Sequence, residues 1–226
     1  MQRFQGWYDN TLAIHEGEKI LSEIDNKAIK ILRHHKLVWS GWPTVVDKLP
    51  CDPSQITRAD DKMALRIIPN VNFEPLKVFF LSILWRAAAS SREDMSDVCL
   101  DDDNLEKLRL ATLNQDALSK YDFPVRLHQI ETRGVPHNRT PFLETCEYNI
   151  GVPYLIREYT TCRIYMDGLI AHVALDADKN YVDSSGDLIV GSNSQQVVML
   201  NKFEFSRAKE NLELAVKLAD DLPKIK

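Results

Sequence analysis

Six histidines, His15, His34, His35, His128, His137 and His172, are the residues of this chain best suited to metal or acid–base chemistry. None stands in a strong metal-ligand spacing. The four cysteines, Cys51, Cys99, Cys146 and Cys162, are far apart and form no C-x-x-C pair, so cysteine alone encodes no zinc knuckle. His34 and His35 lie in Arg33-His-His-Lys36 at the end of a helical pattern, where cationic groups complement the dipole, and capping is favoured over metal binding. His172 shares a strand face with Ile170 and Ala174 and reads as a packed or rim histidine; His128 reads the same way. His137, Asn138 and Arg139 form a polar loop in Gly134-Val-Pro-His-Asn-Arg-Thr-Pro141 that could present groups to a ligand. A plain solvent-facing turn has the same composition.

Other chemistries leave little trace. There is no G-x-S-x-G elbow, no P-loop and no G-x-G-x-x-G. The run Asp101-Asp102-Asp103 lacks the spaced oxygens, glycine and terminal glutamate of a calcium loop, and helix capping is favoured. Arg33, His34, His35 and Lys36, with Lys27 and Lys30, are the best local candidates for contacting nucleic-acid phosphates, set against the solvated outer face that an amphipathic helix must have. Trp39 and Trp42, in Trp39-Ser-Gly-Trp42-Pro43, are candidates for a recognition surface.

The elements that must position these residues follow from periodicity. Ile20, Leu21, Ile24, Ala28, Ile31 and Leu32 recur at three- and four-residue steps and predict a helix over 17–35. Residues 37–53 are irregular, with a short extended piece expected at 44–46. A short element over 63–68 precedes the segment 73–91, whose apolar residues wrap nearly the whole helix; such a helix is buried on most sides. Asn72 is its expected cap, and Pro75 is tolerated in the first turn. The acidic run at 101–104 opens a third helix. The pattern then turns extended over 123–131, and Asp167-Gly168 is a type I′ turn signal between two β-rich runs. Further strands are expected at 188–190 and 196–200, and a last helix at 206–221. The fold class is therefore α+β. A helical N-terminal half (1–120) carries the buried central helix, and an antiparallel β-rich half (121–226) ends in a helix, the two making one compact unit.

The 226 residues, 44% hydrophobic, suffice for a substantial core. A net charge of -5 gives no global attraction to nucleic acid or anionic membrane. The start of the chain lacks a secretory signal pattern, and the longest apolar stretch is too short to span a bilayer. A cytoplasmic protein with reduced thiols and no membrane association is the expectation.

Two stretches carry a resemblance. Gly6-Trp-Tyr-Asp-Asn-Thr-Leu-Ala-Ile-His-Glu-Gly-Glu-Lys-Ile-Leu-Ser-Glu-Ile-Asp25-Asn-Lys-Ala28 is similar to the second half of the HNH-like module of a group of bacterial and phage-associated proteins. Lys77-Val-Phe-Phe-Leu-Ser-Ile-Leu-Trp-Arg-Ala-Ala-Ala-Ser-Ser91 resembles that group's most recognisable segment. Tyr165-Met-Asp-Gly-Leu-Ile and Phe205-Ser-Arg207 fit more loosely. Ile14 and Gly17 stand where the group has knuckle cysteines, while Glu18 and Asp25 match, and a start at Met1 is too late to contain the upstream catalytic hairpin of an HNH-type nuclease. The resemblance implies a degenerate, non-catalytic relative: an interaction or regulatory protein of a phage or defence setting, with a protein partner and no cofactor. The alternatives are a magnesium- or manganese-dependent nuclease using His15, Glu18 and Asp25, and a non-cleaving nucleic-acid binder using 33–36.

Overall fold

The computed structural model describes residues 15–135, 139–149 and 156–221. Helix α1 (His15–His34) buries Ile24, Ala28 and Leu32, one residue per turn, and keeps Glu16 and Glu18 in its first turn and Arg33 and His34 in its last. That charge order complements the helix dipole at both ends. Helix α2 (Glu74–Ala89) is buried nearly all round, from Leu76 through Leu84 and again at Ala87. It contacts α1, the third helix and the strand Leu169–Ala174.

The few polar groups on α2 are each satisfied, as burial requires. Lys77 Nζ donates to the Ser119 carbonyl at 2.6 Å, and burial pulls its pKa down to about 8. Ser82 Oγ donates to the Phe79 carbonyl. Arg86 forms a two-pronged pair with Asp25 of α1 at 2.9 and 3.1 Å. Asn72 Oδ1 accepts from the Glu74 N–H, so it serves the helix start from one residue outside the cap position. Helix α3 (Asp102–Asn114) begins as the acidic run predicts, with Asp101 Oδ1 accepting from Asn104 N at 2.8 Å.

Strands β1 (Ile56–Arg58), β2 (Met63–Ile68), β3 (Val125–Ile130), β4 (Phe142–Asn149), β5 (Ile156–Met166), β6 (Leu169–Ala174) and β7 (Gln196–Asn201) form one sheet in the order β1-β2-β7-β3-β6-β5-β4. The fold is α+β. Neighbouring strands are antiparallel except β3 and β7, which run parallel, and β7 pairs with β2 from the first half of the chain. Ile68, Val125, Leu127, Cys162, Ile164, Leu169, Ala171, Val173 and Val198 face the three helices and share one core with them. Cys162 is fully buried there, and burial pushes its thiol up to about 12.

Three local expectations differ. Residues 44–46 make a turn, and the extended contact lies just beyond it, at a bridge between Lys48 and Thr132. Residues 186–188 form a 3-10 turn, with strand character reduced to a bridge between Arg126 and Ile189. Strand β4 and helix α4 (Lys179–Ser185) arise where no clear periodicity marked them. The last helix, α5 (Arg207–Asp221), forms as expected.

The β5–β6 hairpin turns at Asp167 (φ 45°) and Gly168 (φ 83°), the conformation a type I′ turn needs. A Cβ at Gly168 would also lie 2.4 Å from the Trp39 ring. Trp39 seals this hairpin: its N–H donates to the Asp167 carbonyl at 2.9 Å, and its indole N–H to the Ile130 carbonyl at 3.2 Å. The Trp42 indole N–H donates to the Lys36 carbonyl at 2.8 Å. Arg133 stacks over Trp42 and donates to the carbonyls of Val46, Trp39 and Pro43, pinning the loop. Trp39→Ala and Trp42→Ala should each lower the unfolding free energy by about 3–5 kcal/mol. Urea denaturation measures this, and wild-type stability in both variants would contradict the role assigned to the pair.

Candidate functional site

Strand alternation sends every second side chain of the sheet away from α1–α3. That second face is covered at its two ends by separate apolar clusters. One joins Trp39, Trp42, Ile130, Tyr165, Ile170 and Ala208 of α5; the other joins Tyr159, Ala174, Tyr181, Val182 and Ile189. On β6, His172 lies between Ile170 of the first cluster and Ala174 of the second. The middle of the face is therefore a polar band between two apolar caps.

The register assembles this band from four strands. Arg126 of β3 pairs with His172, His172 with Arg163 of β5, and Arg163 with Phe142 of β4. In the neighbouring row Leu65 of β2 pairs with Met199 of β7, Met199 with His128 of β3, and His128 with Ile170. The imidazoles of His128 and His172 stack at 4.5 Å with 10° between their planes. Both rings and Arg126 remain partly accessible, whereas Arg163 is buried.

Hydrogen bonding in the band is incomplete: two arginine donors, the Glu144 Oε2 acceptor and the Thr161 hydroxyl are buried without a hydrogen-bond partner. Arg163 pairs with Glu144 of β4. Among the described residues Arg126 has no carboxylate: its Nη atoms donate to the Tyr181 hydroxyl at 3.2 Å and the Met199 sulfur at 3.1 Å. The Nε atoms of both arginines are buried without an acceptor. Neither imidazole hydrogen-bonds to a described residue. Burial, reinforced by Arg126 and Arg163, pulls His128 down to about 3. His172 is also held well below its usual value, by burial first, then by His128, Arg163 and Arg126. Two guanidinium ions, one carboxylate and two neutral imidazoles thus leave one positive charge uncompensated.

Beside this band the same face is apolar and open. Met63, Leu65 and Ile67 of β2 are 46%, 39% and 36% exposed, at alternate positions of one strand. They lie next to Met199 and Val197 through the β2–β7 register.

The residues singled out from sequence fall elsewhere. His15 and Glu18 stand in the first turn of α1, but Asp25 is ten residues beyond His15, about 15 Å along a helix, and is held by Arg86. The three do not converge. Trp39 and Trp42, expected on a recognition surface, are instead 4% and 5% exposed, because their large rings close the hairpin end of the sheet. Within Arg33–Lys36 only Arg33 and His34 are exposed. The His35 ring packs on Phe73 at 5.1 Å, and burial, with His34 and Arg66, pulls it down to about 4. The backbone of Lys36 is left-handed (φ 56°), and its carbonyl accepts from both Trp42 and Gln129. Half of the basic tetrad thus serves the fold. Arg139 stacks on the Phe142 ring at 4.3 Å, while His137 and Asn138 lie outside the described residues.

Sequence reasoning missed Arg126, Arg163, Glu144 and Tyr181. The signals were the two-residue step from Arg126 to His128 in an alternating strand and the Asp167-Gly168 turn, which sets Arg163 opposite His172. A concavity of about 330 Å³ lies among Ile24, Lys27, Glu74, Val78, Gln115 and Leu118. There Lys27 Nζ donates to Gln115 Oε1 at 2.6 Å, and Gln115 Nε2 donates to Glu23. Among the described residues no group of three His, Cys, Asp or Glu is placed to hold a metal ion, and no helix is long and apolar enough to cross a membrane. Comparison with protein-family models, curated proteins and solved structures finds no match for the chain.

The lowered histidine values fix a sign for the pH dependence. His35, His128 and His172 are neutral when folded but bind protons below about pH 6.5 when unfolded, so the unfolded state takes up more protons on acidification. Stability should fall as the pH drops from about 6.5 toward 4, before most carboxylates titrate. Chemical denaturation across that range measures the slope. His128→Gln combined with His172→Gln should flatten it, and an unchanged slope would contradict the burial of the pair.

Proposed function

We propose that the protein is a non-catalytic recognition module, acting in the cytoplasm, that docks an acidic, apolar segment of a partner protein on the open face of its sheet. The observation that carries this reading is the juxtaposition of the exposed row Met63, Leu65 and Ile67 with the uncompensated Arg126. Exposed apolar side chains at alternate positions of one strand, rimmed by charge, are the make-up of an interaction surface. An apolar segment covers the β2–β7 strip while its carboxylates meet the cationic band. Charge complementarity of this kind sets partner choice and association rate. The descent from an HNH-like scaffold and the phage or defence setting belong to the same proposal and rest on residue resemblance alone.

The two alternatives have less support. A metal-dependent nuclease built on His15, Glu18 and Asp25 would need groups that stand about 15 Å apart on one helix to meet at one ion. Nucleic-acid binding through residues 33–36 would draw on two exposed cationic or titratable side chains where four were expected.

A photo-crosslinking amino acid at position 65, in cells that make the protein, tests the docking. One discrete protein adduct is expected from position 65, none from position 113, a more exposed leucine on α3, and loss of the adduct on Ile67→Asp. Absence of an adduct, or equal labelling from both positions, would contradict the reading. So would magnesium- or manganese-dependent cleavage of DNA or RNA that Ile67→Asp leaves intact.

A further inference from the structure

Arg126, His128 and His172 stand out among the half-buried polar groups because much of their hydrogen-bonding capacity is unspent. Most charged side chains of the described residues that leave water find partners. Glu131 is met by both prongs of Arg58, Asp25 by both prongs of Arg86, and Lys77 by a carbonyl. Arg66, buried on the helix side, donates to Gln55 and Gln129. Arg126, by contrast, is left with a phenol oxygen and a thioether sulfur, the latter a weak acceptor, and its Nε with nothing. Each neutral imidazole beside it adds one N–H donor that no described group accepts and one acceptor nitrogen. Converging donors without an acceptor cost stability, and an oxyanion removes that cost by forming charge-assisted hydrogen bonds.

We propose that Arg126, His128 and His172 form a binding site for a phosphoryl group. Three features match this ligand. The site carries an excess of one positive charge, since Arg126 and Arg163 are balanced only by Glu144. Its donors come from two adjacent strands, Arg126 and His128 on β3 and His172 on β6, and stand on one face of the sheet, where several can reach the oxygens of one anion. The accessible imidazoles form the mouth and Arg126 stands beside them, giving the anion a route from solvent. The Tyr181 hydroxyl, already in contact with Arg126 and 3.3 Å from the Tyr159 hydroxyl, closes the α4 side. Arg163, opposite His172 on β5, acts as a fixed charge held by Glu144. The proposal shares Arg126 with the docking reading but does not rest on it, because a phosphoryl group in the band leaves uncovered the β2–β7 strip that the crosslink at position 65 reports on.

The test is the imidazole NMR spectrum of the full chain at constant pH near neutrality, titrated separately with inorganic phosphate, phosphoserine and acetate. The resonances of His128 and His172 should move saturably with phosphate or phosphoserine, while those of exposed His15 and His34 do not. Tighter binding of phosphoserine would assign the site to a phosphorylated ligand; equal or tighter binding of phosphate would assign it to the free ion. Arg126→Gln should weaken the response about tenfold or more, as expected for hydrogen bonds to a charged group, and Arg33→Gln should leave it unchanged. The wild-type titration decides the matter even if Arg126→Gln folds poorly. No movement of His128 and His172, equal movement of all four histidines, or an acetate response matching that of phosphate would each overturn the proposal.

Discussion

A helix with no polar side has to be covered on every side, and that constraint on α2 organises the rest of the molecule. From Leu76 to Leu84 every residue of α2 is buried, including Lys77 and Ser82. One strip of α2 lies on the sheet, and α1 and α3 close over the remainder. The exceptions to its apolar character act as fasteners: Arg86 reaches Asp25 on α1, and Lys77 reaches the loop that follows α3. Burying these charges unpaired would cost several kcal/mol, so each contact also fixes where the neighbouring element must lie.

With α1, α2 and α3 committed to one side of the sheet, the alternate residues of the strands face away from them. Side-chain alternation then makes the second face as distinctive as the first. Two apolar clusters protect its ends, one around Trp39 and the start of α5, the other around Tyr181 and α4. Between them lie the stacked imidazoles, two arginines and a single carboxylate, and beside them an open apolar row. Buried polar groups in a folded protein are normally satisfied. The concentration of unsatisfied donors at Arg126 and Arg163 therefore separates this region from the ion pairs elsewhere.

Much of the fold is legible in the sequence because its signals are local. Helix α1 follows from apolar spacing, α3 from the aspartates at its start, and the β5–β6 hairpin from Asp167-Gly168. The candidate site is legible only in part. Arg126 and His128 share a strand face by their two-residue step, and Arg163 meets His172 across the hairpin that Asp167-Gly168 marks, but the meeting of the two pairs depends on β3 pairing with β6. Pairing of strands distant in sequence is decided by the assembled core, to which no local motif points. Trp39 and Trp42 show the converse error. Aromatics in a polar, proline-containing loop suggest exposure, yet here the loop folds over the end of the sheet and the indoles become its seal.

The central claim is that the sheet has one sealed face and one face open to a ligand. Methionine methyl groups report on both faces. With a soluble paramagnetic agent, the Met63 methyl, on a residue 46% exposed, should relax strongly, and Met199 beside it less so. Met95, 4% exposed in the core against the helices, should be nearly unaffected. Protection of Met63 and Met199 equal to that of Met95 would mean that the second face is sealed as well, and would contradict the account.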